Sequence, residues 1–224
     1  MSFQVTNSYI KKNFVFISLL FFFILSRILI LSIQITPDPK WIGLMQHINL
    51  VLLNENLLSS LFYFHSQPPI WNLLIGIGVK FFGTSSVIIS KYILCINLLF
   101  SMGIIYFSIK SLDLLKINRL TTFFIIFFLI ILSPSIIFYE NFLSYSHFTC
   151  FNIFLIKYYF IKLFKNDKPK YEVKIYVFAS ILSLTWSAYT AFFFLIIFFM
   201  IFLNRNFSLK KNLILIFLFF LTIS

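Results

Sequence analysis

Among 224 residues, 61% are hydrophobic, 34 are Phe and only 5 are Gly, and the mean hydropathy is +1.00. This composition excludes an ordinary water-soluble domain, and the lack of short alternating apolar and polar stretches excludes a transmembrane β-barrel. The net charge of +12 lies mostly in short segments between apolar runs, where Lys and Arg set topology and meet anionic lipid; no basic stripe interleaved with aromatic residues occurs, so nucleic acid is excluded as a partner. The fold class these features predict is all-α: a polytopic transmembrane helical bundle forming a single membrane domain, with a juxtamembrane helical loop on its outer face.

In chain order, residues 14–35 form the first predicted crossing, preceded by Lys11 and Lys12. The run is too long for a signal peptide and has no small-residue cleavage site, so it reads as a retained anchor. Arg27 inside it is costly in lipid unless paired, which predicts a partner elsewhere in the chain. Residues 86–109, 120–138 and 146–161 are the second, third and fourth predicted crossings. Residues 175–203 stay apolar for 29 positions between two basic segments. Two short helices meeting at a break near 183–189 satisfy that pattern, and a single tilted span is the alternative. The last apolar run, 212–224, is too short to span ~30 Å at 1.5 Å per residue, which predicts that the chain is part of a longer protein. Cys95 and Cys150 lie in apolar runs without neighbouring ligands and read as buried free thiols.

Short cytoplasmic segments carry the Lys and Arg excess. The N-terminus, 110–119, 162–174 and 204–212 are therefore predicted inside, and 36–85 and 139–146 outside. Pro69–Phe82 then becomes decisive. As a full crossing it would deliver the basic 110–119 segment to the outer side. It has only 14 residues, a length more typical of interfacial or re-entrant helices. It is predicted to lie at the outer surface, started by Pro68 and Pro69.

Under this topology Asp113, Asp167 and Glu172 are solvated in basic inner segments, whereas Asp38, Glu55 and Glu140 lie outside. Asp38 directly follows the first crossing and Glu140 the third, so two helices deliver both carboxylates to one face. Such carboxylates, with an imidazole and an amide nearby, can act as a general base or hold a divalent cation. A plainer alternative stands beside each. Asp38 between two prolines can be a turn residue or the N-cap of an amphipathic helix over 41–53, and Glu140 with Asn141 can be a loop tip. Glu55 reads as part of a polar turn, His47 as solvated, and His147 as bonded to a neighbour within the bundle. Lys80 and Lys91 flank Gly83 at the outer face, against the charge rule. They suit a lipid-linked phosphate or simply reach head groups.

These residues together resemble a known family. An acidic residue after the first crossing, Asp38, precedes by 27 positions the element His65-Ser66-Gln67-Pro68-Pro69. That element leads into a short helix ending in Phe82-Gly83, with the basic Lys91 beyond. The pattern resembles the membrane-embedded GT-C glycosyltransferases, in particular the protein O-mannosyltransferase and aminoarabinose-transferase-like group. The segment from Ser133-Pro134 to Tyr139-Glu140 resembles the end of that family's third helix, and the likeness covers about residues 10–203. It implies transfer of a sugar from a polyprenyl-phosphate carrier to an acceptor on the non-cytoplasmic side; with the charge rule, the expected location is a bacterial plasma membrane with the N-terminus cytoplasmic. It implies Asp38 as the catalytic base, Glu140 as a second acid positioning acceptor or metal, Lys91 and Lys80 on the carrier phosphate, and His65 and Gln67 lining the site. Two other functions stay open at this point. One is a transporter or flippase for a lipid or lipid-linked sugar; the other is an inactive membrane scaffold.

Overall fold

The computed structural model of the chain describes residues 2–33, 35–43, 47–63, 69–166 and 168–183, and every regular element among them is helical. Helix α1 (Ser2–Ser32) contains an apolar stretch at Phe14–Ser32. The next elements are a five-residue 3₁₀ turn at Pro39–Gly43 and the short helices α2 (Leu50–Glu55), α3 (Leu57–Tyr63) and α4 (Pro69–Phe82). Helix α5 (Ser86–Leu114) is the second helix long and apolar enough to cross a membrane. At 1.5 Å per residue α5 is about 43 Å long, more than the ~30 Å hydrocarbon core.

The helix expected over 41–53 does not form as one piece. Asn49 resets the chain: its side chain accepts the N–H of Val51 at 2.8 Å, so a new helix starts at Leu50. The expected third crossing also divides. Helix α6 (Arg119–Ile126) passes into a π-helical turn at Phe127–Ile131, breaks at Leu132 and Ser133, and restarts as α7 (Pro134–Asn141) with a 49° bend. Pro134 has no N–H and disfavours helical geometry at Ser133, which is extended at φ −64° and ψ 119°. If this bent pair is one span, the described residues hold three candidate spans rather than two. Helix α8 (Ser146–Asn166) is not among them; its lysines, His147 and Asn152 keep its hydropathy too low despite 21 residues. It continues beyond the crossing expected to end at Ile161. Helix α9 (Pro169–Ser183) follows, and the expected break over 183–189 lies outside the described residues but for Ser183.

Side-chain contacts give the helix directions. Phe16, at the start of the apolar stretch of α1, packs on Tyr106 of α5 with ring centroids 5.8 Å apart. Arg27, later in α1, reaches Glu140 at the level of Asn97 and Ser101 of α5. The two helices are therefore antiparallel. Phe100 against Phe148 at 5.0 Å and Phe107 against Tyr158 at 5.3 Å make α8 parallel to α5. Helices α8 and α9 form a hairpin, with Tyr159 stacked on Phe178. The start of α1, the α5–α6 turn and the α8–α9 turn thus gather at one end, as the grouping of basic segments predicts. Helix α4 doubles back along the first half of α5. The Tyr92 ring covers Gly78, where any side chain would collide with it, and the Tyr92 hydroxyl donates to the Leu74 carbonyl at 3.1 Å.

Many large apolar side chains are exposed and several polar ones are buried. On α1, Phe21, Ile28 and Leu29 are exposed while Leu19, Phe23 and Arg27, spaced four apart, are buried. On α5, Leu99 is exposed while Asn97, Ser101 and Ser108 are buried. Exposed Phe, Ile and Leu with small or charged groups inside is the arrangement that lipid-facing helices favour. Cys95 follows this pattern and faces outward, not inward as expected; Cys150 is half-buried, and both are free thiols.

Two turn positions test the backbone argument. Gly83 has φ +79° with nothing within 4 Å of an added Cβ, so Gly83→Ala costs backbone strain alone, roughly 1–2 kcal/mol. Lys116 sits at φ 59° in the cap of α5, where its N–H reaches Asp113 O and that of Ile117 reaches Leu112 O, each at 3.1 Å. Glycine is favoured there, so Lys116→Gly stabilises by about 1 kcal/mol. Thermal unfolding in detergent should move in opposite directions for the two variants.

Candidate functional site

Four helices bring polar groups together inside the apolar bundle. Arg27 of α1 meets Glu140 of α7 in a two-pronged ion pair, Nε to Oε2 at 2.5 Å and Nη2 to Oε1 at 2.8 Å. Nη1 of Arg27 also donates to the carbonyl of Ile131 at 2.7 Å and to Ser26 Oγ at 3.0 Å. The Ile131 carbonyl needs a donor because the helix stops just after it, ahead of Pro134. The guanidinium lies 4.6 Å from the centre of the Phe23 ring, one turn back on α1.

Helix α5 holds the other side of Glu140. Ser101 Oγ donates to Glu140 Oε1, and Asn97 Nδ2 donates to the Glu140 carbonyl at 3.0 Å. With its proton given to Glu140, Ser101 Oγ accepts from Nε2 of His147 at 2.8 Å, so His147 carries its proton on Nε2. Its Nδ1 has no hydrogen-bond partner among the described residues. Asn97, Ser101, Glu140 and His147 are each fully buried. The cleft beside the pair, among Arg27, Leu94, Leu98, Glu140 and Asn141, measures about 10 Å³, room for one water at most. The network is a sealed junction, not a substrate pocket.

The residues chosen from sequence are distributed differently. Glu140, expected in an outer loop from its position after a crossing, is instead 0% exposed with both carboxylate oxygens engaged. The restart of the helix at Pro134 extends α7 to Asn141 and turns Glu140 inward. Asp38 is exposed, and its Oδ1 accepts the N–H of Lys40 at 3.0 Å in a local turn ahead of the 3₁₀ segment. It does not cap a helix over 41–53. Lys91 is exposed on the second turn of α5. Lys80 is exposed too, and its ammonium donates to the carbonyl of Asn54 in the last turn of α2, where a cation is favoured. His65 and Gln67 lie outside the described residues. Among the described residues no three His, Cys, Asp or Glu side chains group in a way that could hold a metal ion.

Two features of the segment between α1 and α5 have no local sequence signal. His47, expected to be solvated, is half-buried: Trp71 Nε1 donates to its Nε2 at 3.1 Å, so its Nδ1–H points at the Ile42 carbonyl 2.9 Å away. Asn72 is fully buried and accepts the N–H of Ile48 at 2.8 Å. Both contacts tie α4 to the chain before α2. The sequence signal for the central network was the four-residue spacing of Asn97 and Ser101 within an apolar run. No protein-family model matches this chain, and neither a curated protein nor a solved structure matches it.

Removing one partner of a buried ion pair strands the other charge, at a cost of about 3–5 kcal/mol. Arg27→Met and Glu140→Leu should each lower stability by about that much, and the double variant Arg27→Met/Glu140→Leu by clearly less than the sum. A double-mutant cycle of detergent unfolding measures this; strict additivity would remove the coupling.

Proposed function

We propose that this chain is a multi-pass integral membrane protein and the membrane-embedded part of a GT-C-type glycosyltransferase. It moves a sugar from a polyprenyl-phosphate donor to an acceptor hydroxyl at the end of the bundle where α1 finishes. The observation that carries the reading is the placement of Asp38. It is the acidic residue that directly follows an apolar helix, and it stands exposed in a tight turn at the end of the bundle where α5 begins. The short helices of the intervening segment pack in one apolar cluster through Ile42, Leu53, Trp71 and Ile89, a rigid base for such a site.

In this reading Asp38 removes the proton of the acceptor hydroxyl as it attacks the sugar, and Lys91 meets the carrier phosphate, whose charge grows as the sugar leaves. Lys80, engaged with Asn54, contributes to the same positive field, and His65 and Gln67 line the approach. Glu140 acts as the counter-ion of Arg27 and holds the broken third segment in register. It needs no access to acceptor or metal. The surrounding lipid is the medium from which the donor enters.

The second reading, a transporter of a lipid or lipid-linked sugar, is favoured by one feature: buried ionisable groups beside a broken helix, a combination that transporters place on their pathways. The two separate cleanly. In vesicles holding the full chain and a radiolabelled polyprenyl-phosphate sugar, Asp38→Asn should cut covalent transfer to a hydroxyl acceptor by 100-fold or more, with unfolding temperature unchanged. Transfer that survives in a folded Asp38→Asn protein sinks the catalytic role. Translocation without covalent transfer selects the transporter.

The topology has its own test. With Cys95 and Cys150 replaced by Ser, single cysteines at Thr84 and Lys168 should react with an impermeant maleimide from opposite sides of sealed vesicles. Labelling of both from one side removes the proposed arrangement.

A further inference from the structure

A second cavity, of about 280 Å³, opens at the other end of the bundle, between α1, α5 and α6. Its wall includes Phe16 of α1 and Ile109 of α5. Its polar lining is Lys110 and Asp113 of α5 with Arg119 and Thr122 of α6. The place is defined by length: Phe14 opens the apolar stretch of α1 and Leu114 ends α5, so both candidate spans reach their polar limit at this level. A cavity there has hydrocarbon beside it and water beyond it.

Two cations face one carboxylate in this lining, so the cavity favours an anion. Lys110 is also anchored, its ammonium 5.5 Å from the centre of the Tyr106 ring. Thr122 borders the cavity from α6. It is 1% exposed, yet its hydroxyl has no hydrogen-bond partner among the described residues, a rare condition for a buried polar atom. The volume lies just under the range of small-molecule pockets, enough for a head group but not for a whole lipid.

We propose that this cavity binds the phosphodiester head group of an anionic glycerolipid. Lys110 and Arg119 receive the phosphate, Thr122 and Asp113 bond the head-group hydroxyls, and the acyl chains lie outside along the apolar surface of α1, where Ile17 and Phe21 are exposed. Basic pockets between membrane helices recognise anionic head groups in this way. The proposal does not depend on glycosyl transfer, since the site lies at the opposite end of the bundle from Asp38.

The test is a thermal-shift titration of the full chain in neutral detergent with phosphatidylglycerol, phosphatidylcholine or glycerol phosphate as probe. Phosphatidylglycerol should reach half-effect at a concentration at least tenfold lower than phosphatidylcholine. Lys110→Gln/Arg119→Gln should erase that preference, while Lys168→Gln/Lys170→Gln, an equal charge change in the α8–α9 turn, should keep it. Thr122→Val, which conserves volume, should weaken phosphatidylglycerol binding several-fold without lowering the melting temperature in its absence, and it serves as the test if the double variant fails to fold. Equal response to the two lipids, or equal loss in the control variant, overturns the proposal. Saturation by glycerol phosphate at the concentrations effective for phosphatidylglycerol assigns the cavity to a soluble phosphate and overturns the lipid.

Discussion

The described architecture depends on the ion pair between Arg27 and Glu140. A guanidinium in the middle of an apolar helix is tolerable only when its charge and donors are met. Here three of its nitrogens find acceptors from two other segments of the chain, a carboxylate and a backbone carbonyl. Each acceptor then imposes its own condition. Glu140 must be delivered at the right depth, which α7 does, and the Ile131 carbonyl must be free of a helical partner, which the break ahead of Pro134 achieves.

The broken third segment and the charged residue in the first helix are thus two halves of one solution. A continuous helix would have used the Ile131 carbonyl internally and left Arg27 with an unmet donor. Ser101, Asn97 and His147 extend the same logic to α5 and α8, so that α1, α5, α7 and α8 are linked through one set of hydrogen bonds. Specific polar contacts carry orientation in such a bundle, because hydrogen bonds are directional and apolar packing is not. The apolar core, mainly Ile and Leu among the described residues, discriminates poorly between one helix rotation and another.

Much of this was legible in the residues. The apolar runs at 14–35 and 86–109 appear as α1 and α5, and the short Pro69–Phe82 helix has its predicted bounds, because proline at its start and Gly83 at its end are local signals. Arg27 announced that a partner must exist. The partner's identity was not legible, since Glu140 lies 113 positions away and its placement in an outer loop followed from counting crossings as continuous helices. The segment over 41–53 departs from expectation for a related reason: its apolar spacing suits one helix, but Asn49 satisfies a backbone donor locally and starts a different one. His47 looked solvated because nothing nearby in sequence marks Trp71 as its donor.

The sequence by itself determined the helical class, the two strongest apolar helices and the end of the bundle at which basic segments gather, because hydropathy, proline and charge act over a few residues or through counting. Only the tertiary structure decided which polar groups face one another: Arg27 with Glu140, and Ser101 with His147. Those pairings depend on helix rotation and depth. Rotation and depth are set by the joint satisfaction of buried donors and acceptors across segments far apart in the chain.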